Sequence, residues 1–89
     1  MEVESWDREA DGELTEEALR EKLRSHGFAV SKYTYPPGTS FPPHTHRVDK
    51  IDAVLEGRFR ITMGGEEVVL ERGDWVWVPA GAEHAAEVV

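Results

Sequence analysis

Residues 36–57 read PPGTSFPPHTHRVDKIDAVLEG, a proline-studded turn that runs through two histidines into an apolar segment. In an extended strand, residues two apart project to one face, so His44 and His46 can direct both imidazoles at one point. That is a metal-ligand geometry, although two histidines on a surface strand also occur without a metal. Val48, Lys50 and Asp52 have the same parity. A regular strand therefore turns Lys50 and Asp52 towards the same place as the histidines, whereas a bulge at Val48-Asp49 would leave Lys50 in solvent.

Outward from this stretch, turn signals recur at Pro36-Pro37-Gly38, Pro42-Pro43, Glu56-Gly57, Gly64-Gly65, Arg72-Gly73 and Pro79-Ala80-Gly81. Between them the apolar period is two, the pattern of an all-β sandwich or barrel. Strands are expected over 28–35, 39–41, 44–48, 51–56, 58–63, 67–71, 74–78 and 84–89. MGGEE between two β-rich runs marks a hairpin. Trp75 and Trp77 alternate with Val76 and Val78, so that strand is apolar on both faces and is expected to be buried on both. Arg58 and Arg60 give their strand a charged face, expected to be solvated. Tyr33 and Tyr35 are assigned to sheet packing.

Nine of the eighteen acidic residues fall in the first 21 positions. The chain accordingly divides into an acidic N-terminal arm, residues 1–27, and a β-rich domain, residues 28–89. Residues 1–13 are expected to be poorly ordered or loosely docked. A helix is predicted over 15–26, with Thr15 as N-cap, Glu16 and Glu17 in its positive first turn and Gly27 terminating it. Its narrow apolar face, Ala18, Leu19 and Leu23, suits packing on the outside of something larger. His26 reads as a helix-end residue interacting with the dipole.

Composition limits the functions available. Eighty-nine residues suit one domain with a modest core. A formal charge of -8 opposes a phosphate-binding face and excludes nucleic acid as a partner. With no cysteine, any metal must be held by nitrogen and oxygen. No basic region precedes an apolar run at the N-terminus and no run is long enough to cross a membrane, so the expectation is a cytoplasmic protein without membrane contact.

The spacing around the histidines carries a resemblance. Gly38, His44, His46, Lys50 and Gly57 follow G-x5-H-x-H-x3-K-x6-G, and Gly73, Pro79, Gly81 and His84 follow G-x5-P-x-G-x2-H. These resemble the two motifs of the cupin superfamily, with Lys50 where that family carries Glu and Val88 where Asn is usual. Arg58 to Arg72, between the motifs, matches the shortest spacing the family uses. The resemblance implies an all-β cupin jelly-roll barrel of two packed sheets, with the N-terminal helix outside. It further implies a divalent metal ion (Zn, Fe, Mn, Ni or Co) held by His44, His46 and His84, and a small-molecule ligand or substrate. Three neutral imidazoles hold such an ion at about 2.0 to 2.2 Å and leave positions open for chemistry.

Lys50 departs from the family pattern. An ammonium about 5 Å from a dication is repelled by roughly 6 to 7 kcal/mol at an effective dielectric near 20. Asp52 is the expected compensation, by pairing with Lys50 or by supplying the missing carboxylate. Lys50 and Asp52 are thus the candidates for catalytic roles. The function expected is a metal-dependent enzyme acting on a small molecule; the alternative is a non-catalytic binding or sensing module. A homodimer is expected, because a jelly roll of this size leaves sheet edges that need covering.

Overall fold

In the computed structural model, which describes residues 1–89, the elements in chain order are β1 Val3–Ser5, α1 Arg8–Asp11, α2 Glu16–Ser25, β2 Ser40–His44, β3 Lys50–Ala53, β4 Arg58–Met63, β5 Glu66–Glu71, β6 Asp74–Val78 and β7 His84–Val88. All strand pairs are antiparallel, in one sheet ordered β1-β6-β3 and a second ordered β2-β7-β4-β5. The two sheets make a small jelly roll, and α2 lies outside it.

The core follows from the period of two. Val76 and Val78 of β6 meet Ile61 of β4 and Leu70 of β5, with Val54 completing a buried cluster. Each such side chain contributes about 1.5 to 3 kcal/mol by leaving water. The β4–β5 hairpin turns on Gly64 and Gly65, with φ of 61° and 79°, values that two glycines adopt without strain. On the outer face of that sheet Arg60 is ion-paired with Glu87, so the charged face is a solvated one.

Thr15 caps α2 through its Oγ1, which accepts the Ala18 amide at 3.0 Å. The helix buries Leu19 and Leu23. Its Lys22 ammonium stands 5.9 Å from the Trp75 ring centre and donates to Asp11 Oδ1 at 2.8 Å. That bond holds the Asp11 carboxyl below the usual carboxylate range. Trp75 is buried beneath this contact, but Trp77 is 48% exposed and meets only the edge of Phe28 at 5.0 Å, so β6 is not buried on both faces along its length.

Three expectations change. Residues 1–13 are not loosely docked: β1 pairs with β6, the Trp6 amide donates to the Gly73 carbonyl at 2.9 Å, and Met1 packs against the core. A sheet edge accepts a polar strand, so acidity did not preclude pairing. Residues 28–35 form no strand; half-buried Phe28 meets the Trp77 ring, and Tyr35, which stays exposed, meets Phe41, instead of joining a ladder. The strands expected at 39–41 and 44–48 reduce to one strand, β2, which has an irregularity between Phe41 and His44 and ends there, so residues 45–48 form no strand. Pro42 and Pro43 are tolerated there because β2 is an edge.

Candidate metal centre

His44 is the last residue of β2 and His84 the first of β7, and the ladder sets them directly opposite each other, ring centres 4.3 Å apart. His46 lies beyond the end of β2. Its ring reaches the same place, 4.8 Å from His44 and 5.1 Å from His84. Strand alternation therefore does not explain the convergence; the turn does. The Gly81 amide donates to the His46 carbonyl at 2.8 Å, and the Ala80 amide donates to Asp49 Oδ1 at 2.7 Å. These two bonds tie the segment carrying His46 to the Pro79-Ala80-Gly81 turn that delivers His84.

The tautomers follow from the hydrogen bonds. His44 Nδ1–H donates to the Pro42 carbonyl at 2.7 Å and His84 Nδ1–H donates to the Ala82 carbonyl at 3.0 Å. A carbonyl only accepts, so each Nδ1 carries a proton, and in the neutral ring the lone pair is then on Nε2. The backbone thus orients two of the three rings as ligands, as outer-shell bonds do in metal sites. One potential ligand atom from each of His44, His46 and His84 falls within 4.8 Å of the others, with His84 buried and the other two half-buried. Loss of water holds the His46 imidazole below its ordinary value, and His44, His84 and Lys50 push it the same way. A neutral imidazole is the form that ligates.

The β3–β6 ladder settles the direction of Lys50 and Asp52. Lys50 stands opposite Val78 and Asp52 opposite Val76, and both valines are buried in the core. Residues opposite in a ladder share a face, so both charged side chains leave β3 on the inner side. The chain does break from strand at 45–49, yet β3 restores the inward register. Lys50 is exposed; Asp52 is half-buried. Burial pushes the Asp52 carboxyl above its ordinary value, while the three imidazoles and then Lys50 pull it back. The ion pairs of the protein involve neither residue, so the expected Lys50–Asp52 pair is not formed.

A cavity of about 760 Å³ connects these groups, running from the histidines past the free edge of β3 to Leu19 and Leu23 of α2. One side is an aromatic run. Tyr33 stacks on Tyr35 at 6.0 Å, Tyr35 meets Phe41 at 5.1 Å, and Phe41 meets Phe59 at 6.2 Å. Sequence reasoning assigned the tyrosines to sheet packing and did not single out the phenylalanines. The only signal was an apolar residue, Phe41, held among polar and proline positions just before the histidines.

Two sheets enclosing a three-histidine group define a small jelly roll with the makings of a metal centre. The family model described as "Cupin domain" matches residues 31–89, and the chain belongs to the cupin family. An uncharacterised protein of Streptomyces coelicolor is 34% identical over 76 residues, covering 85% of this chain and 72% of that one. Quercetin 2,3-dioxygenase of Bacillus subtilis is 37% identical over 49 residues, 54% of this chain but 14% of the dioxygenase. The solved structure of KdgF from a Halomonas species superposes with a TM-score of 0.58 at 30% identity, over 62% of this chain and 51% of the KdgF chain. This chain thus spans about half of that structural relative.

Proposed function

We propose that the protein is a metal-dependent enzyme acting on a small molecule, with His44, His46 and His84 holding one divalent ion. The observation that carries this reading is the pair of Nδ1–H bonds to Pro42 and Ala82, which leave Nε2 lone pairs on His44 and His84 beside His46. A bound ion supplies Lewis acidity or, with a redox-active metal, electron transfer.

The chain's own groups do the rest. The backbone carbonyls of Pro42 and Ala82 hold the rings in place. Asp52, on the inner face with its carboxyl raised by burial, is the group suited to take a proton from substrate and return it. The aromatic run from Tyr35 through Phe41 to Phe59 keeps water from one side of a bound molecule. That one relative is a named dioxygenase supports an enzymatic role. We also propose a homodimer, supported by the free edge of β3 and the exposed Val48 and Trp77 beside it.

The test is elemental analysis of the purified protein followed by turnover assays of Zn, Fe, Mn, Ni and Co forms. Consumption of a small oxygen-bearing substrate by one metal form supports the enzyme. Tight ligand binding without turnover in every form would establish a binding module instead.

A further inference from the structure

The charges that line the cavity are not balanced in the way the rest of the chain is. Arg20 and Lys32 are both bound to Glu16, and Glu56 is bound to Arg72. Arg58 also lines the cavity and is in no ion pair, but as the first residue of β4 it is exposed and shares the outer face with Arg60. What remains on the inner face is one cation, Lys50, and one carboxylate, Asp52, neither of them in an ion pair. Three neutral imidazoles add no charge of their own. With a dication in place, the centre therefore carries a net positive charge inside a chain of formal charge -8.

We infer that the ligand of this site is a small organic anion with a flat apolar body, and that Lys50 selects it by charge. The inference rests on the metal reading above. An ammonium on the inner face repels a dication, and Asp52 alone does not neutralise both. A neutral ligand leaves that repulsion in place. An anion between the two cations is attracted by each, and the partly dry cavity strengthens both attractions. The cavity volume of about 760 Å³ lies within the roughly 300 to 1,000 Å³ of small-molecule sites. Phe41 and Phe59 present ring surface along the same space, which suits an apolar body behind the anionic group.

Lys50 is exposed, yet it lines the same cavity as His44, His46 and Asp52, and the register places it opposite Val78. The outward surface of this acidic chain repels anions, so recognition of an anion has to be local, and Lys50 is the group positioned to supply it.

The test compares benzoate with benzamide, which have the same ring and nearly the same shape but differ in charge. Each is titrated calorimetrically into zinc-loaded protein whose zinc content has been measured on the same sample. Wild-type protein is expected to bind benzoate about ten-fold more tightly than benzamide or better. Lys50→Gln, at equal zinc content, should lower that preference by about ten-fold, and Lys50→Arg should restore most of it. Equal affinity for the two probes, no binding of either at millimolar concentration, or a benzoate preference unchanged in Lys50→Gln would overturn the inference while leaving the metal reading intact. A wild-type protein that takes up no zinc would remove the metal reading itself, and this charge argument with it.

Discussion

Lys50 stands opposite Val78 across the β3–β6 ladder, so the side chain at the family's glutamate position, although exposed, leaves the strand on the inner face of the sheet. An ammonium there repels a dication held by the three histidines. Replacing it by a carboxylate removes the repulsion and adds an oxygen ligand. Lys50→Glu is therefore expected to raise metal affinity about ten-fold or more, since ten-fold is only about 1.4 kcal/mol. Lys50→Met should give a smaller rise in the same direction, and Asp52→Ala a fall. Isothermal titration with zinc and manganese measures all three; unchanged affinity in Lys50→Glu would mean that the side chain does not feel the ion.

Asp52 should have the opposite effect on the metal-free fold. Burial raises its carboxyl, so the folded chain binds that proton more tightly than the unfolded chain does. The ionised form thus lowers stability at neutral pH, and the loss fades as pH falls through the raised folded value towards the ordinary carboxylate range. Asp52→Asn is expected to raise the melting temperature of metal-free protein by a few degrees at neutral pH. At pH below both values the gain should vanish. A melting temperature that falls at neutral pH would contradict this.

Gly73 couples the N-terminal segment to the barrel. Its φ is +88°, and a Cβ there would lie 3.0 Å from Trp6 Cβ and 3.1 Å from Leu14 Cδ2. Gly73→Ala is expected to cost about 2 kcal/mol or more, from backbone strain together with displacement of Trp6. At Gly81, where φ is +80° and a Cβ meets nothing within 4 Å, alanine should cost about 1 kcal/mol. Urea unfolding midpoints separate the two; equal losses would show that the contact with Trp6 and Leu14 does not matter.

A homodimer should scatter light with twice the 10.0 kDa mass of one chain. A mass near that of the single chain at micromolar concentration would rule the dimer out.

What the sequence disclosed, and what it hid, has a physical pattern. The hairpin through Gly64 and Gly65 was legible because a two-residue turn with positive φ has a local signature. The helix capped by Thr15 was legible for the same reason. Residues 28–35 misled because alternation reports which side chains prefer to be buried, and Phe28 and Tyr35 found ring partners without a ladder. Residues 3–5 were hidden because an edge strand needs no apolar signal. The histidines were found together, but the hydrogen bonds that hold His46 to Gly81 and orient His44 and His84 belong to carbonyls and amides, which every residue carries alike.

The central claim is that His44, His46 and His84 act jointly on one ion, and zinc titration of metal-free protein tests it most directly. One ion per chain is expected, with affinity falling as pH drops through about 6 to 7, where free imidazoles take up protons. His46, whose loss of water disfavours its protonated form, keeps its lone pair to lower pH than a free imidazole would. Alanine at His44, His46 or His84 should each abolish uptake while the fold persists, and alanine at His26, at the end of α2, should change nothing. Equal zinc uptake by all four variants, or none by the wild type, would contradict the account.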